Sequence, residues 1–345
     1  MRQLFALRRG QLEWRENAEP KLLAPTDALV RPIAVSVCDA DVLFLQGKLP
    51  PRDSFCFGHE FVADIVTAGE DVVGFRPGDR VVVSFLIACG TCKRCRQGYP
   101  AACLSVPPKS AYGFGIFGDW GGAARDLIRV PYATTMMALL PPGVSAIDAA
   151  SAGDNLTDAF RCVAEGLEEE TGAQVLIVAG GGNLPSISLY AAALARALGS
   201  EQVDYIDSDP SRLKIAQSIG ANAIEAKTPP KRHGSYWVTA DTSGGPSGEW
   251  LTTALNSTAP YGRCTSCGIY HGPAPVPLDA MYRQGMRFTI GWANIQALMP
   301  TVLDLMSQRK LKLDTIHTVV PWDAVIEALK DPPAKLIFAR DEART

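Results

Sequence analysis

An α/β protein is predicted, in which a mostly-β first half is followed by a doubly wound parallel sheet. Three observations carry that expectation. The chain has 345 residues, beyond the ~250 to 300 at which a single hydrophobic core stops growing, so two domains are expected. Residues 1 to about 148 break into short β-rich runs between Gly, Pro and Asp turns, the texture of strands joined by tight connections. From Gln174 onward, apolar strands alternate with Ala-rich helical stretches, the pattern of a parallel sheet with crossover helices.

In the first half, residues 28–37, 61–66 and 79–83 read as strands, each rich in Val and other apolar residues. In the second, residues 175–179 form an unbroken apolar strand, followed by a helix from about 184 to 198. Ile187, Ala191, Leu194, Ala195 and Leu198 recur there at helical spacing, and Gly199 stands where a helix leaves through a left-handed residue. Residues 203–206 form the next strand. Asp209-Pro210 then supplies an N-cap and a first-turn proline, opening a helix that ends near Gly220. Residues 228–233, TPPKRH, read as a surface loop. Cys264 and Cys267 fall in an expected strand, where residues three apart point to opposite faces, and both read as buried structural thiols.

Charged residues make up 20% of the chain and the net charge is −3, with both signs interspersed. That distribution offers no electrostatic footprint for a polyanion and disfavours nucleic-acid binding. The N-terminal stretch lacks the apolar core of a signal peptide, and no apolar run approaches the ~20 residues of a membrane span. A soluble cytoplasmic protein is the default expectation. Nine cysteines are present, an odd number that, without a secretory leader, suits metal ligands and buried thiols better than disulfides.

Cys89, Cys92, Cys95 and Cys103 give the spacing C-x2-C-x2-C-x7-C, dense enough to close four thiolates around one tetrahedral zinc ion at ~2.3 Å each. Lys93, Arg94 and Arg96 interleave the ligands, where cations offset the negative charge of four thiolates on a divalent ion. Four protein ligands leave no position for substrate, which makes this lobule structural. Two disulfides or a redox-active set is the alternative for the same thiols.

The lobule, the Gly58-His59-Glu60 triplet before it and the Gly180-Gly181-Gly182 run after it occur in an order that resembles the zinc-dependent medium-chain dehydrogenase/reductase family, the alcohol and polyol dehydrogenases. The resemblance covers nearly the whole chain. It implies a GroES-like catalytic domain at 1–148 with the lobule at 89–103, a Rossmann domain at 149–284, and a return to the catalytic domain over 285–345, with 335–338 as a late strand. It also implies a homodimer or homotetramer. A catalytic zinc would be held by Cys38, which stands where the family has its first cysteine ligand, by His59, and by Asp154, at the start of the linking helix. The remaining position stays open for substrate. Glu60 is expected to be a second-shell or transient ligand, because a second carboxylate would weaken the Lewis acidity that polarises a substrate oxygen.

Many relatives carry Ser or Thr two positions after the cysteine ligand and His five after, forming a proton relay, whereas this chain has Ala40 and Leu43. Asp39 and Asp41 flank the gap, and either could accept the proton through a water. With Leu43, Phe44, Leu86, Phe117 and Trp120 as possible lining, the substrate leans toward a bulky apolar secondary or cyclic alcohol.

Gly180 to Leu184 follow an apolar strand and open a helix, the setting in which G-x-G-x-x-G cradles a pyrophosphate. Pro185 replaces the third glycine and is tolerated in a first helical turn. Asp207, at the end of the next strand, is placed to accept ribose hydroxyls and to repel a 2′-phosphate, which favours NAD. The expected cofactor-binding set is Gly180, Gly181, Gly182, Asn183, Leu184, Asp207 and Arg212. The expected activity is a zinc-dependent, NAD-linked alcohol dehydrogenase. An NADPH-dependent carbonyl reductase of the same family, and a non-catalytic dinucleotide-binding module with structural zinc alone, are the alternatives.

Overall fold

The computed structural model describes residues 1–7, 10–49, 54–115, 118–245, 247–308 and 310–344. The chain divides into two compact units. The first comprises Met1–Thr157, Ala293–Gln308 and His317–Thr345; the second comprises Asp158–Trp292 and Arg309–Ile316.

In the first unit, a seven-stranded sheet runs in the order His317–Pro321, Lys335–Ala339, Ala28–Ser36, Glu60–Ala68, Arg80–Val83, Met137–Leu139, with Ile128–Val130 also paired to Ala28–Ser36. One edge of Ala28–Ser36 is shared. Ile128–Val130 pairs with its first three residues, and Ile337–Ala339 pairs with Ala34–Ser36. Pro32 lies between the two pairings and has no N–H to donate, so a break in the ladder belongs there. Val30, Val35, Phe61, Ala63, Val81, Val83 and Phe338 pack into the core this sheet covers. A smaller three-stranded sheet joins Leu12–Glu16, Arg2–Ala6 and Phe55–Cys56.

The second unit holds six strands, all parallel, in the order Asn222–Glu225, Val203–Asp207, Val175–Val178, Tyr236–Asp241, Thr258–Ser266, Arg287–Ile290. Numbered within the unit this is 3-2-1-4-5-6, the order of a doubly wound dinucleotide-binding sheet. The helix Pro185–Ala197 follows the first strand and is left through Gly199 at φ 91°. Asp209 caps the helix Pro210–Ser218 by accepting from Ser211 N and Arg212 N. Arg287–Ile290 pairs in parallel with Thr258–Ser266, so the sheet continues past residue 284 and its unit runs to Trp292. Cys264 is buried within Thr258–Ser266, whereas Cys267 lies just beyond that strand and is half-buried, so the opposite-face argument does not reach it. Among the described residues, no helix is long and apolar enough to cross a membrane.

Candidate active site

The sulfurs of Cys89, Cys92, Cys95 and Cys103 all lie within 4.8 Å of one another. Cys92 Sγ and Cys95 Sγ are 3.5 Å apart, well beyond the ~2.05 Å of a disulfide. Donors converge on these sulfurs: Cys92 N–H on Cys89 Sγ at 3.3 Å, Leu104 N–H on Cys92 Sγ at 3.4 Å, Ser105 N–H on Cys103 Sγ at 3.4 Å and Ser105 Oγ on Cys89 Sγ at 3.2 Å. Burial raises the Cys89 thiol, but the hydrogen bonds from Ser105, Cys92 and Thr91 outweigh it and bring the thiol down to about 5. Burial and the neighbouring Cys92 and Cys103 sulfurs push the Cys95 thiol the other way, up to about 12, and four soft sulfurs crowded this closely fit a soft divalent cation such as zinc. Lys93, Arg94 and Arg96 flank the set from exposed positions.

A second convergence forms at the end of the central strand of the same unit. Cys38 follows Ala28–Ser36 and caps the helix Asp39–Leu45, its N–H donating to Asp41 Oδ2 at 3.2 Å. His59 immediately precedes the neighbouring strand Glu60–Ala68. Asp154 ends a turn before the helix Asn155–Glu169. Gly153 makes that approach possible, since a Cβ there would stand 2.2 Å from the Val83 carbonyl oxygen. Ligand atoms of Cys38, His59, Glu60 and Asp154 lie within 4.8 Å of one another, and all four residues are buried.

The contacts around this group are specific. His59 Nε2 is 3.2 Å from Asp154 Oδ2, and Asp41 Oδ1 lies 3.7 Å from His59 Nδ1 on the other side of the ring. The Cys38 sulfur is 3.3 Å from Asn155 Oδ1. Glu60 is fully buried. Its carboxylate is ion-paired with Lys335 Nζ, 3.0 Å from each oxygen, and both side chains are fully buried.

Burial, followed by the Asp154, Glu60 and Asp41 charges, pushes the Cys38 thiol well up. Burial likewise raises Asp41 to about 6 and Glu60 to about 7. Anionic donors crowded into a dry site resist ionisation, and a divalent cation among them reverses that penalty. By its donor chemistry, the Cys38, His59 and Asp154 set therefore fits zinc. Asp39 is buried on the first turn of the same helix but is not among the four residues whose ligand atoms meet.

The residues of the expected apolar lining fall in different places. Phe44 packs edge-on against Phe55 in the core, and Leu43 and Leu86 are also buried. Trp120 packs beside that core with Arg129 over its ring, and Phe117 lies outside the described residues. The rings that face His59 are Phe114, at 4.4 Å between centroids, and Phe85, at 5.5 Å. Sequence reasoning missed both, because a phenylalanine beside a strand looks like ordinary core. Gly113 before Phe114 permits this approach: its φ is 74°, and a Cβ there would stand 3.0 Å from His59 Cβ.

In the second unit, the Gly180–Asn183 loop follows Val175–Val178, with Leu184 as the cap of the helix that Pro185 opens. Its donors have acceptors within the protein. Gly180 N–H reaches Ile206 O at 3.1 Å, Gly181 N–H reaches Asp207 Oδ1 at 2.7 Å, Gly182 N–H reaches Ala179 O at 2.9 Å and Asn183 N–H reaches Ser243 O at 3.3 Å. Asp207 is fully buried. Its Oδ1 accepts from Gly181, Ser208 and Asp209 N–H groups, and its Oδ2 accepts from Tyr205 Oη and lies 3.6 Å from Arg212. Arg212 also donates to Gly182 O at 2.9 Å. Asp207 and Arg212 thus brace the glycine loop.

On the other side of Val175–Val178, Asp241 accepts from Ser243 Oγ, Ser266 Oγ and Tyr270 Oη at 2.6 Å each. This buried network stands at the carboxyl end of the sheet where the strand order reverses, the place where such sheets bind ligands. It also went unread in the sequence, because its members are scattered over the ends of two strands and the connections that follow them.

Residues 24–141 match the family described as Alcohol dehydrogenase GroES-like domain. The solved structure of alcohol dehydrogenase TADH from Thermus sp. ATN1 superposes with a TM-score of 0.84 at 30% identity, covering 99% of this chain and 100% of that one. The "Probable zinc-binding alcohol dehydrogenase Rv1895" of Mycobacterium tuberculosis is 27% identical over 325 residues, spanning 91% of this chain and 80% of the relative. Geraniol dehydrogenase of Castellaniella defragrans is 29% identical over 336 residues, spanning 88% and 87%.

Proposed function

Because this chain belongs to the zinc-dependent medium-chain dehydrogenase/reductase family, we propose that it is an NAD-linked alcohol dehydrogenase that oxidises a secondary, apolar or cyclic alcohol to the ketone. The observation that carries the reading is the meeting of Cys38, His59 and Asp154 donors in a buried site faced by Phe85 and Phe114. A zinc ion held by these three residues supplies Lewis acidity at a substrate oxygen, and a nicotinamide dinucleotide held by the Gly180–Asn183 unit supplies the hydride acceptor.

The chain's own residues do the remaining work. With the ion bound, Cys38 and Asp154 would carry two negative charges, enough to neutralise a divalent cation and leave the site without excess charge. Asp41, facing His59 Nδ1, holds the ring so that Nε2 presents its lone pair inward. With its other oxygen taken by Cys38 N–H, Asp41 has an orienting part, and Asp39 is left as the candidate proton acceptor. Phe85 and Phe114 exclude water and favour an apolar substituent, in keeping with the apolar Ala40 and Leu43 at the relay positions. A carboxylate at Asp207, the end of its strand, disfavours a 2′-phosphate and supports NAD. We place the enzyme in the cytoplasm as a homodimer or homotetramer.

One observation favours a second reading. Arg212, 3.6 Å from Asp207, partly offsets that charge, as an NADPH-dependent carbonyl reductase would need. A screen of nicotinamide absorbance with NAD and NADP, against aliphatic, cyclic, polyol and terpenoid alcohols and their carbonyl partners, separates the two. Turnover led by NAD with a secondary or cyclic alcohol supports the proposal. Preferential reduction of ketones with NADPH selects the reductase, and no turnover with any pair selects the non-catalytic module.

A further inference from the structure

We propose that Lys335 is a positioning residue of the Cys38, His59 and Asp154 centre, holding the Glu60 carboxylate in an ion pair and thereby out of the metal's ligand set. The inference rests on the reading of that centre as a metal site. It begins from a geometric problem. Glu60 is the chain neighbour of His59, and its carboxylate oxygen lies within 4.8 Å of the other three donor atoms. Distance alone therefore does not keep it from becoming a fourth ligand and closing the position that catalysis needs open.

Lys335 supplies the missing restraint. Its ammonium sits 3.0 Å from both Glu60 oxygens, with both side chains at zero exposure. A lysine is almost never fully buried unless paired, and breaking a buried pair leaves a charge without compensation. The charges balance in two groups: a divalent cation with Cys38 and Asp154, and Glu60 with Lys335. Without the ammonium, the nearest cation for Glu60 would be the metal itself.

The backbone places Lys335 for this task. It opens the strand Lys335–Ala339, which is held between His317–Pro321 and Ala28–Ser36. Val37 N–H donates to Leu336 O at 2.9 Å, so the residue before Cys38 is bonded to the residue after Lys335. Ligand and lysine are set in register by one pairing. A hydrophobic residue at 335 would preserve that strand, yet the sequence spends a buried charge there.

The test uses the full chain with cobalt(II) in place of zinc and reads the visible spectrum as imidazole is added, so that occupation of the open position is seen without turnover. Wild type and Lys335→Arg should show saturable perturbation by imidazole. In Lys335→Met the bands should shift before any addition, and imidazole should bind roughly 10–100-fold more weakly. Lys335→Met combined with Glu60→Gln should restore both. Glu60→Gln alone, which does not depend on the stability of the lysine variant, should keep the wild-type bands and imidazole affinity.

Unchanged imidazole binding in Lys335→Met overturns the proposal alone, as does a Glu60→Gln spectrum that differs from wild type. A wild-type protein that takes up cobalt only at the four-cysteine set overturns the metal-centre reading and the proposal with it.

Discussion

Asp41 stands between the helix cap and His59: one oxygen accepts from Cys38 N–H, and the other lies 3.7 Å from His59 Nδ1, where it acts on the ring by its charge rather than by a hydrogen bond. Asp41→Asn keeps the volume but loses the charge that favours Nδ1–H. Metal affinity, measured by competition with a chelator, and kcat/KM should each fall by roughly 10–100-fold while the circular dichroism spectrum stays unchanged. Loss of neither would remove Asp41 from the account. At this scale the sequence was legible only where motifs are local. Cys38 and His59 are marked by neighbours in the chain, whereas Asp154 reaches His59 across 95 positions and Lys335 reaches Glu60 across 275. Such partners follow from strand pairing, which one sequence does not print.

The element scale shows a similar division. The strands Ala28–Ser36 and Val203–Asp207 and the helix Pro185–Ala197 lie within one or two residues of their expected bounds, because apolar runs, a first-turn proline and a terminal glycine act locally. Arg287–Ile290 is too short and too polar to announce itself. It joins the sheet through Thr258–Ser266 and through Arg287, which donates to both oxygens of Glu169 at 2.7 Å.

Arg263 also binds Glu169, so one carboxylate ties the end of the helix Asn155–Glu169 to two strands. Hydrogen bonds from Arg263 and then Arg287 hold the Glu169 carboxyl down at about 2. A carboxylate lowered on folding adds stability that is complete above its unfolded value near 4.3 and is lost as pH falls through the folded value. Glu169→Gln should therefore melt below wild type at neutral pH, and the gap should narrow as pH is lowered from about 4.3 toward 2. A gap independent of pH would mean that the ion pairs contribute nothing there.

For the whole molecule, the central claim is that one chain carries two metal centres of different kind. Four cysteines form a closed set within fifteen positions, C-x2-C-x2-C-x7-C, which spacing alone reveals. The open set draws on three distant points of the chain and became visible in the sequence only through resemblance to a family. Phe85, Phe114, Asp241 and the internal bonds of Asp207 were not legible at all, because each depends on which side chains the fold turns toward one another.

Elemental analysis of the purified full chain tests the claim most directly, with Asp154→Ala alongside. The account predicts two zinc ions per chain in the wild type, and one in the variant with turnover abolished. One zinc in the wild type, or two in an active Asp154→Ala, would contradict it.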